Sequence, residues 1–466
     1  MKITFSNLGS IKKTTLDLRP LTVIIGPNNT NKTYIAYSIY GLWDSLRKET
    51  TKSVYTLGLE HTSGTNFSIN VENLFDYMIE DTEQIVKIFN EELKTFFQDS
   101  SKKLFTNVGF EMQLAKNELQ NALKKMISAE ENPFARGYKF SSHNGALFMD
   151  VRNSLRDKNI ISLDDEFTAA HRTIWGLKFL LFSRPFLLPA ERNAFIITYK
   201  ILAHNRLKHL RLIQRERISP RSERELELLR EQGVINYPQP IEDFLDFLTD
   251  VEFEKNINND SVERRKFCQI ADEIEASIQG KNKTGFKPTK LGGKELKVNV
   301  KKGLDIDLYN ASSSIKQLAP LLLYLRYRAK ENDLLIIDEP EMNLHPESQA
   351  KFLEVLGMLV NAGVNVLLTT HSPYFMSHLN NLVSGKTDDE KTLKEQAKSL
   401  YLKDERAFLK MDDVSAYEMK NNKLVSLKDK DYGIRWDTLS DVSADIQQKF
   451  FEIYEKGEQP TDGEEE

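Results

Sequence analysis

Residues 2–6 and 14–18 alternate apolar and polar positions on either side of Gly9-Ser10, the pattern of two short strands, and residues 21–25 form an unbroken apolar strand. A turn of small and polar residues follows, and an amphipathic helix is predicted from near Lys32 through 34–47. Residues 49–70 are polar with short alternating runs, expected as an excursion of the same sheet. From 73 to 131 the apolar positions recur at three and four, as in Leu74, Met78, Ile85, Phe89 and Leu93 and then Leu119, Leu123 and Met126, which predicts helices. Strands at 137–142 and 146–151 and a helix at 163–182 come next.

Residues 186–192 read as a buried strand running into a helix start, with Glu191 and Arg192 at the strand's carboxyl end, where a ligand role and a structural ion pair are equally open. The run 203–232 is dense in charge, with arginines outnumbering glutamates and two helices meeting at Ser219-Pro220. Helix continues over 241–278, and a Gly/Lys-rich link at 280–293 returns the chain to strands at 295–300 and 304–308. An apolar helix at 317–327, apolar strands at 334–337 and 364–368, short strands at 399–402, 407–410, 414–418 and 424–427, and a closing helix at 443–456 complete the pattern. Strands and helices alternate, so the class is α/β.

At 466 residues the chain has room for about two or three domains. Its net charge of -5 marks neither a general polyanion binder nor an acidic-tail protein. Cys268 is its single cysteine, which excludes an internal disulfide framework and a zinc ribbon and suits a reducing compartment. No apolar run reaches the roughly 18 residues of a membrane span, and the chain opens on a strand pattern rather than a signal sequence. A soluble, cytoplasmic protein without membrane association is expected.

The strand at 21–25 empties into Gly26-Pro27-Asn28-Asn29-Thr30-Asn31-Lys32-Thr33, a glycine followed by four residues, Asn31, lysine and threonine. This spacing predicts a phosphate-binding loop. Backbone N–H groups around Gly26, Asn28, Asn29 and Asn31 face a β-phosphate, the Lys32 ammonium reaches the β/γ oxygens, and the Thr33 hydroxyl ligates Mg²⁺. Asn31 stands where glycine is usual, and asparagine tolerates the left-handed backbone that the position requires. A second apolar strand ends in Asp338-Glu339. Two unpaired acids at the end of a buried strand would be strongly disfavoured by desolvation, so they point to function: Asp338 toward Mg²⁺, Glu339 toward the attacking water as general base. The strand at 364–368 leads to His371, placed to donate to a γ-phosphate or its transition-state oxygens.

Taken together, these segments resemble the ABC-type ATPases of the soluble branch that holds SMC, RecF and overcoming-lysogenization-defect (OLD) proteins. Residues 26–33 match Walker A, 334–339 Walker B, 343–346 the D-loop and His371 the switch histidine, while 310–316, opening the apolar helix, resemble the signature motif. The resemblance implies a P-loop ATPase head with a mixed sheet and flanking helices at 1–70, 183–203 and 283–385. It further implies a mainly helical insertion at 71–182, a charged coiled-coil-like one at 204–282, and a small C-terminal α+β unit with an acidic tail at 386–466. It implies ATP and Mg²⁺ as ligands, and a homodimer or higher homo-oligomer of heads in which Ser313 caps the γ-phosphate held by the other copy. Ser314, like Asn31, departs from a motif glycine, which implies slow turnover rather than lost binding.

Within that branch the runs at 189–192, 339–346 and 370–373 are most similar to the ATPase subunits of bacterial anti-phage systems such as PARIS, Septu and retron-associated ATPases. That likeness implies a separate effector, a nuclease or toxin, under nucleotide control. The acidic clusters at 388–390 and 412–413 sit in polar, turn-like contexts and read as solvated turns, so nuclease activity in this chain is not expected. Two other readings stay open: a RecF-like DNA-repair ATPase that binds DNA through the basic run at 203–232, and an ATP-binding scaffold with negligible turnover.

Overall fold

The computed structural model describes residues 1–58, 60–63, 66–99, 101, 103–105, 107–128, 138–143, 145–151, 166–215, 237–253, 262–289, 293–387, 389–429, 433–435 and 445–454. The chain starts with strands β1 (Lys2–Leu8), β2 (Ile11–Asp17) and β3 (Leu21–Ile25) and helix α1 (Lys32–Lys48). Next come β4 (Glu60–Ser63), β5 (Asn66–Asn70), α2 (Val71–Phe96), β6 (Gly109–Met112), α3 (Lys116–Ser128), β7 (Tyr138–His143), β8 (Ala146–Val151) and α4 (Glu166–Leu181). Strand β9 (Arg184–Leu188) then leads into α5 (Arg192–Arg215), α6 (Gln239–Asp250) and α7 (Val262–Ser277). Strands β10 (Lys283–Pro288), β11 (Lys294–Lys301) and β12 (Leu304–Asp307) precede α8 (Ser313–Tyr327), β13 (Asp333–Asp338), α9 (Pro346–Asn361), β14 (Asn365–Thr370), α10 (Pro373–Ser384) and α11 (Glu390–Ala397). Strands β15 (Val414–Lys420) and β16 (Lys423–Ser426) come last among those used below.

A six-stranded sheet of order β16-β15-β3-β14-β13-β9 organises the molecule. Strands β15, β3, β14, β13 and β9 run parallel and β16 is antiparallel to β15. Both faces of these strands are covered, which is why they read as continuous apolar runs rather than alternating ones. Ile24, Leu334, Ile336 and Leu367 face the side of α1, α2 and α4. Their neighbours Val23, Ile25, Leu335, Ile337, Val366 and Leu368 face the side of α6 to α10. Parallel register brings the carboxyl ends of β3, β14 and β13 to one edge, with Ile25 opposite Thr370 and Asp338 opposite Thr369. At the other edge Arg184, opening β9, grips the Asp333 carboxylate through Nε at 3.0 Å and Nη2 at 2.7 Å.

Residues 414–426, which the sequence places in a C-terminal α+β unit, supply two of the six strands, and β15 lies directly beside the phosphate-loop strand β3. The short strands expected at 399–402 and 407–410 do not form. Glu354 on α9 takes the N–H groups of Tyr401 and Leu402 at 3.0 and 2.7 Å, and the Asn361 amide takes the carbonyls of Arg406 and Phe408 at 2.7 and 2.9 Å. The backbone there is spent on helix side chains, not on a ladder. Residues 60–63 and 66–70 also differ from expectation: they join β8 and β7 in a separate sheet, and the edge of β1 opposite β2 is taken by β6. One helix, α5, runs through the boundary expected at 203/204. Beyond Arg215 the charge-dense run lies outside the described residues, as do Asp388 and the acidic tail. No helix among the described residues is long and apolar enough to cross a membrane.

A fully buried ion pair fastens α4 to α2 and to the segment just past α1. Lys178 of α4 meets Asp81 of α2 at 2.5 Å, with both side chains at most 1 % exposed, and also donates to the carbonyl of Glu49 just past α1. The other Asp81 oxygen accepts the N–H groups of Thr51 and Lys52 at 2.7 and 3.2 Å. Burial pushes the Lys178 ammonium below its ordinary value, and the Asp81 hydrogen bond and charge oppose that shift. Lys178→Met should therefore destabilise the protein by about 3–5 kcal/mol in chemical denaturation, because it strands a buried charge. Adding Asp81→Asn, which keeps the acceptor and removes the charge, should recover most of the loss.

Candidate functional site

Three strand ends meet at the sheet edge, and the site is built where they meet. The loop from Gly26 to Asn31 turns back over β3 through two left-handed residues, Asn29 with φ 60° and Asn31 with φ 65°, and α1 starts at Lys32. Asparagine adopts this region more readily than other residues with a Cβ, so Asn31 closes the loop as expected. Gly26 is buried and Asn28 and Asn29 stand exposed on the crest. Thr30 Oγ1 donates to the Pro27 carbonyl at 2.8 Å and stiffens the turn. The Lys32 ammonium is folded under the loop, donating to the carbonyls of Gly26 and Pro27 at 3.0 and 2.8 Å. Burial lowers its pKa, and the nearby carboxylates of Glu339, Asp338 and Glu341 resist the shift. A phosphate oxygen would be a stronger acceptor for this cation than either carbonyl.

Asp338, ending β13, is 2 % exposed. Thr33 Oγ1 donates to its Oδ2 at 3.0 Å, and Thr369 Oγ1, from the adjacent strand, donates to its Oδ1. Burial raises the Asp338 carboxyl above its ordinary value, and the two hydroxyl donors pull it back. A hydroxyl and a desolvated carboxylate side by side suit Mg²⁺, a hard cation that keeps most of its waters and takes few protein ligands. Among the described residues no group of three or more His, Cys, Asp or Glu side chains could enclose a metal by itself.

Glu339 and His371 lie next to this pair. Glu339 has φ 48°, a left-handed conformation uncommon for glutamate. Its N–H is held by the Thr369 carbonyl at 3.1 Å, and its Oε1 lies 3.1 Å from His371 Nε2. The His371 hydrogen bond holds the Glu339 carboxyl below the usual range, so it is ionised at neutral pH. His371 is fixed through its backbone, whose N–H donates to Glu341 Oε1 at 2.5 Å. The other Glu341 oxygen is buried without a partner, and burial raises that carboxyl.

Behind the site Arg192, 2 % exposed, spends its guanidinium on carbonyls: Pro189 and Asp338 at 2.8 Å and Gln317 and Glu339 at 3.2 Å. The Gln317 side-chain oxygen, turned toward it, accepts at 2.6 Å. Of the two readings left open for Arg192, the structural one fits, with backbone oxygens in place of Glu191, which is exposed. Ser313 sits on the exposed first turn of α8 and takes part in none of these contacts. The helix is capped by Ser312, whose Oγ accepts the Ile315 N–H at 3.4 Å.

Lys32, Thr33, Asp338, Glu339 and His371 thus lie together at one edge of the sheet. Thr369 and Glu341 were not read from the sequence, although aligning the ends of the two strands would have set Thr369 beside Asp338.

Residues 1–376 match the family described as AAA ATPase domain. Among solved structures, the SmcHead bound to the C-winged helix domain of ScpA is similar at 11 % identity and TM-score 0.35, over 91 % of this chain and 96 % of that one. A Pyrococcus furiosus Smc head domain with an extended coiled coil, bound to the C-terminal domain of ScpA, gives 12 % and 0.34 over 96 % and 98 %. The SMC head domain from Thermotoga maritima gives 10 % and 0.31 over 91 % and 97 %. No curated protein matches the chain.

Because the Arg192 fork satisfies several buried carbonyls at once, a point-charge ammonium cannot replace it. Arg192→Lys should lower the melting temperature, and Arg192→Met should lower it further or prevent soluble expression; a melting curve unchanged in both would contradict this role.

Proposed function

The chain belongs to the AAA ATPase domain family, and from that premise we propose that it is an ABC-type ATPase of the SMC/RecF/OLD branch that binds and hydrolyses Mg²⁺-ATP. The observation that carries this reading is the contact between Thr33 and Asp338, 305 positions apart, with the Glu339–His371 pair beside it. The loop N–H groups and the start of α1 offer partial positive charge to a β-phosphate. Lys32 exchanges its carbonyl partners for β/γ oxygens. Magnesium, when bound by Thr33 and Asp338, supplies charge neutralisation on those oxygens. Glu339, kept ionised by His371, orients the attacking water and takes its proton as the γ-phosphoryl group leaves. Glu341, by gripping the His371 backbone, keeps the imidazole against Glu339.

We propose further that heads pair on ATP, with the exposed first turn of α8 and Ser313 presented to nucleotide held by a second copy. An exposed hydroxyl on the first turn of a helix is a fitting anion ligand. Control of a separate nuclease or toxin in anti-phage defence is the biological role we propose, on the likeness of the runs at 189–192, 339–346 and 370–373 to those ATPase subunits.

The test is steady-state phosphate release with Mg²⁺-ATP. Lys32→Ala and Glu339→Gln should each lower kcat by about a hundredfold or more. Rates equal to wild type would sink the enzymatic reading, and a wild type that binds ATP without measurable release would identify a nucleotide-gated scaffold. Light scattering of Glu339→Gln should show a doubled mass on adding ATP, abolished by Ser313→Arg.

A further inference from the structure

The residue before the lysine of a phosphate loop must adopt a left-handed backbone, and here it carries a side chain. Asn31 is also the N-cap of α1, yet its side chain makes no capping bond. It points the other way: Nδ2 donates to Ser10 Oγ at 2.5 Å, and Ser10 Oγ donates onward to Asn422 Oδ1 at 2.9 Å. The two bonds run in the same direction, the arrangement in which successive hydrogen bonds polarise one another.

Asn422 belongs to the tip of the β15–β16 hairpin, where Asn421 and Asn422 both have positive φ, 50° and 59°, as a tight two-residue turn requires. Ser10 belongs to the turn between β1 and β2. That turn is shaped around Asn31: Gly9 has φ +59°, and a Cβ on it would lie 2.4 Å from Asn31 Oδ1. The same C-terminal hairpin also touches the front of the loop, since a Cβ on Gly26 would lie 2.7 Å from the Met419 Cβ. Three further bonds tie the hairpins together, Leu424 N–H to Thr14 Oγ1, Asp17 N–H to Tyr417 Oη and Ser415 Oγ to the Asp17 carbonyl, each at 2.9 Å.

We infer that Asn31, Ser10 and Asn422 form a hydrogen-bonded strut through which the C-terminal hairpin holds the phosphate loop in its closed, left-handed form. Ser10 and Asn422 are positioning residues for nucleotide binding, distant from it by one and two side chains. This inference rests on the ATP-binding reading above for its consequence, but not for its geometry. A glycine at 31 would need no such support; an asparagine gains it from residues that come 21 positions earlier and 391 positions later in the chain.

A double-mutant cycle on the full chain tests the strut. Mg²⁺-ATP affinity is measured by calorimetry for Ser10→Ala and Asn422→Ala, each in the wild-type and in the Asn31→Gly background. Each alanine should weaken binding by about threefold when Asn31 is present, the size of one modest exposed hydrogen bond, and should have no effect when residue 31 has no side chain. Ser10→Thr, which keeps the hydroxyl, should bind as wild type does. Equal losses in both backgrounds, or no loss in either, would overturn the strut. If wild type binds no ATP, the functional reading falls instead, and the same cycle read as melting temperatures of the nucleotide-free protein decides the strut: loss confined to chains with Asn31 sustains it, and equal loss overturns it.

Discussion

A carboxylate buried at the end of a parallel strand is the constraint around which this molecule is arranged. Asp338 has almost no contact with water, and an isolated ion there would take up a proton rather than remain charged. Two hydroxyls oppose that, one from the start of α1 and one from the neighbouring strand. Each reaches Asp338 only because β3, β14 and β13 run the same way and stop at the same level. A shift of one residue in either pairing would turn Thr369 to the opposite face of the sheet and leave the acid alone. The apolar runs that flank these residues therefore do more than fill a core: by fixing register they decide which polar groups meet.

The backbone just past Asp338 is held in place from behind. Glu339 adopts a conformation that an unsupported glutamate would leave, and its carbonyl and that of Asp338 are gripped by the Arg192 guanidinium. The same guanidinium holds the Gln317 carbonyl on α8. One buried side chain thus joins the carboxyl end of β13, the end of β9 and the helix whose first turn bears Ser313. Strain at Glu339 and rigidity at Arg192 are two aspects of one device, which aims a carboxylate away from the sheet and toward the water side of the edge.

Much of this was legible beforehand, for identifiable reasons. The phosphate loop, the Asp338-Glu339 strand end and His371 are compact local patterns, each a short apolar run ending in residues that chemistry needs. The reading of a P-loop ATPase in an α/β fold followed from those patterns. What stayed hidden depended on long-range pairing. Residues 399–402 and 407–410 look like strands by composition, yet their N–H and C=O groups are claimed by Glu354 and Asn361, side chains whose positions no local pattern reveals. Strands at 414–426 were visible as strands, but not as neighbours of β3, because parallel partners can lie at any separation. Glu341 was given no role of its own in the 339–346 run, and only the return of the chain through β14 gives it the His371 N–H to hold.

Strand β3 ends at Ile25, but both of its neighbours in the sheet, β14 and β15, come several hundred positions later in the chain. Its N–H and C=O groups on either side have no ladder partner until residues 365–370 and 414–420 have left the ribosome. The candidate site therefore cannot be completed before residue 420 has been made, and a chain interrupted earlier would display a bare apolar strand with two open edges. Such a topology, dominated by contacts between distant positions, belongs to the slow and aggregation-exposed end of folding behaviour, where chaperones act.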